Sequence, residues 1–212
     1  MTRTLYYSPG ACSLAAHIVL QELNAPFELA LISTSDGSTL SPAHLRLIPK
    51  GRVPVLVTGE SVLTEAPAIL IYLAMAQPEA HLLDTSPEAL ARTVEWFNWL
   101  SGSVHAVAVR QVWRPESFTH DHASLDAIIA KGKESLAAAF ALIEQRLCSN
   151  LWCVGDFYSI VDPYLLVFYR WGNRMSMPMP VQYPTWTAHT MRVLERPAVR
   201  RALDGESISV WQ

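Results

Sequence analysis

The sequence predicts two domains, a small α/β unit over residues 1–77 and an all-helical unit over residues 88–212, joined by a linker at 78–87. Three observations carry that division. Apolar residues switch between strand and helix spacing in the first part and keep helix spacing alone in the last. The linker is polar, with Pro78 and Pro87 near its ends. Residue types are also shared unequally: eight of the fourteen prolines precede residue 88, whereas all seven tryptophans follow residue 90.

In chain order, residues 4–7 read as a short strand that a Ser8-Pro9-Gly10 turn stops, after which Leu14, Ile18, Val19 and Leu23 recur at helical spacing. Phe27 to Ile32 is a second strand. Val55-Leu56-Val57 and Ser61-Val62-Leu63 form a hairpin about Gly59, and Pro54 stands at the start of its first strand, where a missing N–H is tolerated. Thr64 is expected to cap a helix with Glu65 and Pro67 in its first turn and Ile69, Leu70 and Leu73 on its buried face. Past the linker, residues 88–113 form one long helical pattern. Residues 124–147 form another, with Leu125, Ile128, Leu136, Phe140, Ile143 and Leu147 along one face. Ser159-Ile160-Val161-Asp162 has the arrangement of a capping box and opens an apolar helix through Trp171. A Met/Pro-rich loop over 175–184 precedes helices near 185–195 and 198–204, and there are no internal repeats.

Half of the 212 residues are apolar and 17% are charged, with a net charge of -3, which excludes a disordered chain and an electrostatic nucleic-acid binder. Three cysteines without a CxxC spacing suggest neither a disulfide framework nor a zinc site, and a reducing cytoplasm suits them. His120-Asp121-His122 lacks a further clear ligand, so no metal is expected there. Pro9 and Gly10 interrupt the N-terminal apolar character too early for a secretory segment. The longest apolar runs, 69–76 and 164–169, are too short to span a membrane, so a soluble protein without a membrane partner is expected.

Cys12 follows the first turn and opens the first helix, where free N–H groups and the helix dipole favour an anion. Either its own thiolate or one brought by a ligand would be stabilised there, and a plain role as a small buried residue is the alternative. Tyr164, Phe168 and Trp171, at i, i+4 and i+7, make an aromatic stripe. Core packing suits Phe168 best, whereas Tyr164 and Trp171 suit a pocket that is part apolar and part wet.

Tyr7-Ser8-Pro9-Gly10-Ala11-Cys12-Ser13-Leu14-Ala15 resembles the N-terminal signature of the beta-class bacterial glutathione transferases. Pro49 to Leu56 (PKGRVPVL), Leu63 to Ile69 (LTEAPAI), Glu95-Trp96-Phe97-Asn98 with His105, Ser159 to Tyr164 (SIVDPY) and Glu195-Arg196-Pro197 continue the likeness in order. The resemblance implies the glutathione transferase fold: an α/β thioredoxin-like N-terminal domain that holds glutathione, and an all-α C-terminal domain that lines a pocket for a hydrophobic electrophile. It implies a cis Val53-Pro54 bond that presents the Val53 backbone to the tripeptide. Glu65 and the N–H of Ala66 would hold the γ-glutamyl end. Cys12, Ser13 and His105 would surround the sulfur as the catalytic candidates. Tyr7, Arg52, Asn98, Gly102 and Ser103 complete the implied glutathione site. Asn98 and His105 are seven apart and so expected on similar faces of one helix, with Asn98 serving across the interface of a homodimer.

Two departures stand out. Position 66 is Ala where relatives often carry Ser, and residues 33–41 (STSDGSTLS) hold no Lys or Arg to meet a glutathione carboxylate, leaving Lys50 or Arg52 as candidates. The function implied is conjugation of reduced glutathione, as co-substrate, to small hydrophobic electrophiles in a detoxification role without a metal. The alternatives are thiol–disulfide or peroxidase chemistry through a mixed disulfide on Cys12, and a non-catalytic scaffold of the same fold.

Overall fold

The computed structural model describes residues 3–212. Its first domain runs β1 (Arg3–Tyr7), α1 (Ser13–Glu22), β2 (Phe27–Leu31), α2 (Pro42–Leu47), β3 (Val55–Thr58), β4 (Ser61–Thr64) and α3 (Ala66–Ala76). The four strands form one sheet in the order β2-β1-β3-β4. The crossover through α1 makes β2 parallel to β1, with Leu5 opposite Leu29, while the tight turn at Gly59 makes β4 antiparallel to β3. Leu5 pairs with Leu56 across the antiparallel β1–β3 ladder, so a one-residue slip would turn both out of the core. This is the thioredoxin-like arrangement.

Every residue of α1 from Ser13 to Leu20 is buried, because the helix is covered by the sheet and α3 on one side and by helices of the second domain on the other. A helix in that position needs apolar character all round, and Leu14, Ala15, Ala16, Ile18, Val19 and Leu20 provide it.

The second domain comprises α4 (Pro87–Asn98), a π-helical segment (Trp99–Val109), α5 (Arg110–Trp113), α6 (Leu125–Cys148), α7 (Val161–Arg174), α8 (Met179–Gln182), α9 (Pro184–Leu194) and α10 (Pro197–Gly205). The pattern expected as one helix over 88–113 is therefore a rod whose central part has the wider i→i+5 bonding. α7 is the centre of the domain, buried from Val161 to Gly172. Asp162 in its first turn accepts at Oδ2 from Ser159 N–H (2.7 Å) and Oγ–H (3.1 Å), which is one half of the expected capping box; in place of the other half, Ser159 Oγ accepts from Val161 N–H at 3.3 Å and Ile160 takes the cap position. The other oxygen of Asp162 accepts from Cys153 N–H (3.0 Å) and meets His189 Nε2 at 2.8 Å, so this buried carboxylate is fully partnered.

Two expectations need correction. Thr64 does not cap α3: it ends β4, and Glu65 occupies the cap position with φ 71° and no side-chain capping bond. The stretch expected to be a plain loop over 175–184 contains α8. The linker is tied down, because Leu82 is buried and its carbonyl accepts from Ile160 N–H at 2.9 Å. No helix among the described residues is long and apolar enough to cross a membrane.

Candidate active site

A cavity of about 780 Å³ opens between the two domains. The α/β wall comes from four chain segments: the end of the β1–α1 connection, the β2–α2 connection with Thr34, Ser35 and Thr39, the loop before β3, and the start of α3. The helical wall comes from the π-helical segment, α5 and α7.

On the first wall, the Val53–Pro54 bond is cis, as the resemblance implies, and both residues border the cavity. Cys12, at the cap position of α1, lies beside them, with Sγ–H donating to the Val53 carbonyl at 3.5 Å. Burial pushes its thiol up to about 12, outweighing backbone hydrogen bonds and Arg52, which pull the other way. Of the alternatives the sequence leaves open for Cys12, burial disfavours its own thiolate and makes it a neutral donor at physiological pH. Glu65 borders the cavity with Ala66, and its carboxylate accepts from Lys50 Nζ at 2.7 Å.

The turn carrying Cys12 is clamped from the helical domain. Gly10 N–H donates to Glu206 Oε2 at 2.7 Å, and the Gly10 carbonyl accepts from Trp171 Nε1–H at 2.9 Å. Glu206 is itself buried against His17 Nδ1 at 3.0 Å. At φ 68° and against the Arg170 guanidinium, position 10 leaves no room for a Cβ.

On the helical wall, Gly102 and His105 reach the cavity from the π-helical segment, and Tyr164 and Trp171 reach it from α7. The His105 ring centre lies 4.7 Å from that of Trp171. Its imidazole sits deep enough that burial, reinforced by Arg52 and Arg110, pushes it down to about 4, so it is neutral at pH 7.

Five residues singled out from the sequence do not border the cavity. Phe168 is fully buried, with its ring packed edge to face against both Tyr164 and Trp171, and belongs to the core. Ser13 is buried with its hydroxyl donating to the Ser8 carbonyl at 3.1 Å, which locks the turn. Tyr7 is buried, and Glu206 is close enough to add to the rise of its phenol above the ordinary value that burial begins. Asn98 and Ser103 are exposed outside the cavity. The equal-face expectation for Asn98 and His105 assumed 3.6 residues per turn, and the π-helical segment between them breaks that register.

The sequence reading overlooked Arg110, Trp113, Arg114 and Arg174, all on the helical wall. One signal was available, since Arg174 follows Trp171 by three and continues the pocket face of α7. Arg114 extends to the other domain, where its Nη2 donates to the Thr34 carbonyl at 3.1 Å, in the very segment that lacks its own base.

A thioredoxin-like domain whose cis-proline turn faces, across a cavity, a helical domain of this topology defines the glutathione-transferase architecture. The chain belongs to the glutathione S-transferase family: family models of the glutathione S-transferase N-terminal and C-terminal domains match residues 1–75 and 114–197. Glutathione S-transferase GST-4.5 of Xanthomonas campestris is 31% identical, over 97% of this chain and 99% of its own. The disulfide-bond oxidoreductase YfcG of Escherichia coli is 25% identical, over 94% of this chain and 93% of its own. Among solved structures, a glutathione transferase homolog from Sulfitobacter with bound glutathione matches with a TM-score of 0.89 at 28% identity, over 96% of this chain and 98% of that one. The beta-class glutathione S-transferase of Sphingomonas chungbukensis matches at 0.84 and 28% identity, over 97% of this chain and 100% of that one.

Proposed function

We propose that this chain conjugates reduced glutathione to a small electrophile. The carrying observation is that a neutral thiol, Cys12, and a neutral imidazole, His105, border one cavity beside the cis Val53–Pro54 turn. Glutathione lies along Val53 with its γ-glutamyl carboxylate at the start of α3, where the Ala66 N–H and the helix dipole receive it, and its ammonium on Glu65. The glycine carboxylate takes Arg114 as its base, in place of the one missing from 33–41. The glutathione sulfur loses its proton to solvent through His105, and the thiolate is stabilised by the Cys12 S–H and the His105 N–H. It then attacks the electrophilic carbon held against Tyr164 and Trp171, a C–S bond forms, and the leaving group departs with the bonding pair.

The chain works as a cytoplasmic symmetric homodimer in a detoxification role. Its three cysteines are free, which suits a reducing compartment. Exposed Val62 and Val94 suit a subunit interface, and Asn98 and Ser103, exposed outside their own cavity, suit a role toward the partner's. Likeness to YfcG supports a second reading, disulfide exchange at Cys12, but a thiol held neutral by burial is a poor attacking group.

Conjugation kinetics decide between them. His105→Ala is expected to lower kcat/KM by about a hundredfold, as loss of a general acid–base group does. Cys12→Ala should lower it by roughly tenfold, the effect of losing one hydrogen bond to a charged sulfur. Unchanged conjugation in both variants would overturn the assignment, and a glutathione adduct on Cys12 after treatment with oxidised glutathione would favour exchange.

A further inference from the structure

The cavity is far more basic than the chain that surrounds it. Lys50, Arg52, Arg110, Arg114 and Arg174 border it against the single carboxylate of Glu65, in a protein of net charge -3. Lys50 is paired with Glu65, and Arg114 is bonded to the Thr34 carbonyl. Arg52, Arg110 and Arg174 have neither an ion pair nor a side-chain hydrogen bond among the described residues. Arg52 stands on the α/β wall beside Val53, and Arg110 and Arg174 stand on the helical wall. The Arg174 guanidinium lies 5.7 Å over the Trp113 ring, and Trp113 meets Trp171 edge to face at 5.4 Å between ring centres. Trp113 borders the cavity and is 37% exposed, so its ring is open to a ligand there.

Glutathione accounts for only part of this charge. Its γ-glutamyl carboxylate goes to the start of α3 and its glycine carboxylate to Arg114, which reaches from the helical domain to Thr34 of the α/β domain. Two guanidinium groups and an exposed indole on the helical wall are then left for the second substrate. Guanidinium matches a carboxylate in a forked geometry and stacks on planar rings, so this corner recognises an acid joined to an aromatic system.

The geometry points to an aromatic carboxylate as the electrophile: its ring rests against Trp113 and Trp171 and its carboxylate is held between Arg110 and Arg174. This substrate class rests on the proposed transferase function and sharpens the expectation of a merely hydrophobic electrophile.

The test pairs 4-chloro-3,5-dinitrobenzoate with its neutral methyl ester. In each, the glutathione thiolate attacks the carbon bearing chlorine, the C–S bond forms, chloride leaves, and the thiol proton passes to solvent. After division by the uncatalysed rates, kcat/KM should favour the carboxylate by roughly tenfold to a hundredfold, the range for a charge-assisted contact. Arg110→Gln and Arg174→Gln should each reduce that ratio about tenfold, whereas Arg92→Gln, on the exposed face of α4 and paired with Glu95, should leave it as it is. Equal preference in the unsubstituted protein overturns the proposal. So does a ratio that survives both substitutions while the KM for glutathione rises, because the arginines would then serve glutathione. Binding of unreactive 3,5-dinitrobenzoate and 3,5-dinitrobenzamide, followed by tryptophan quenching, separates this from the transferase reading. Preference for the benzoate without conjugation of either chloride would sustain the anion pocket and refute the transferase, and equal quenching would refute the pocket.

Discussion

The two walls of the cavity are made of different material. The α/β wall offers backbone: the Val53 carbonyl, the Ala66 N–H and the turn at Cys12, each set by a short local conformation. The helical wall offers long side chains, His105, Arg110, Trp113, Trp171 and Arg174, projected from the π-helical segment, α5 and α7. Backbone groups suit a substrate that never changes, since they cannot be substituted away, while side chains allow the second substrate to vary on a constant scaffold. Changes on the first wall should act on glutathione and folding, and changes on the second on chemistry and selectivity.

Gly10 belongs to both walls, and its replacement should blur the division most. Gly10→Ala puts a Cβ into the Arg170 guanidinium at a φ of 68° and disturbs the bonds to Glu206 and Trp171. A loss of about 2–4 kcal/mol in denaturant unfolding is expected, together with weaker glutathione binding. A variant as stable as the parent would mean that the clamp does not hold the turn.

His105 sharpens the helical side through pH. With its imidazole pushed down to about 4, activity that depends on the neutral ring should be flat from pH 6 to 8 and fall only as pH drops toward 4. The sign for stability follows. The unfolded chain takes up the proton near 6.5 and the folded one only near 4, so the fold loses stability as pH falls through that window. An activity midpoint near 6.5, absent in His105→Ala, would contradict the burial of the ring.

Arg114 has the smallest expected effect, being exposed and held by one carbonyl. Arg114→Gln should raise the KM for glutathione by about threefold to tenfold and leave the choice of electrophile alone. A changed electrophile preference with unchanged KM would move Arg114 to the other substrate.

The same division governs what was legible in the sequence. Val53-Pro54 and Glu65-Ala66 were legible through the family resemblance of short contiguous motifs, and Cys12 through the strand–turn–helix pattern around it. The two-domain division and most helices were likewise visible in apolar spacing. The arginines were not, because a long charged side chain leaves no periodic trace and its reach is decided by packing. The separation of Asn98 from the cavity that His105 borders was hidden for a related reason: the i→i+5 bonding that rotates the two apart has no signal in a pattern read at 3.6 residues per turn. The charge of Cys12 stays open in the sequence, since a helix dipole is local while desolvation depends on everything packed around the thiol.

The central claim is that the cavity ionises the sulfur of glutathione while Cys12 stays protonated. Ultraviolet absorbance of thiolate, followed against pH in a Cys148→Ser background with and without glutathione, measures this directly. Without glutathione no thiolate should form at neutral pH, because burial holds Cys12 near 12. With glutathione a thiolate should develop at neutral pH and should weaken in Cys12→Ala without vanishing. A thiolate present at neutral pH without glutathione and abolished by Cys12→Ala would contradict the account and make Cys12 the nucleophile.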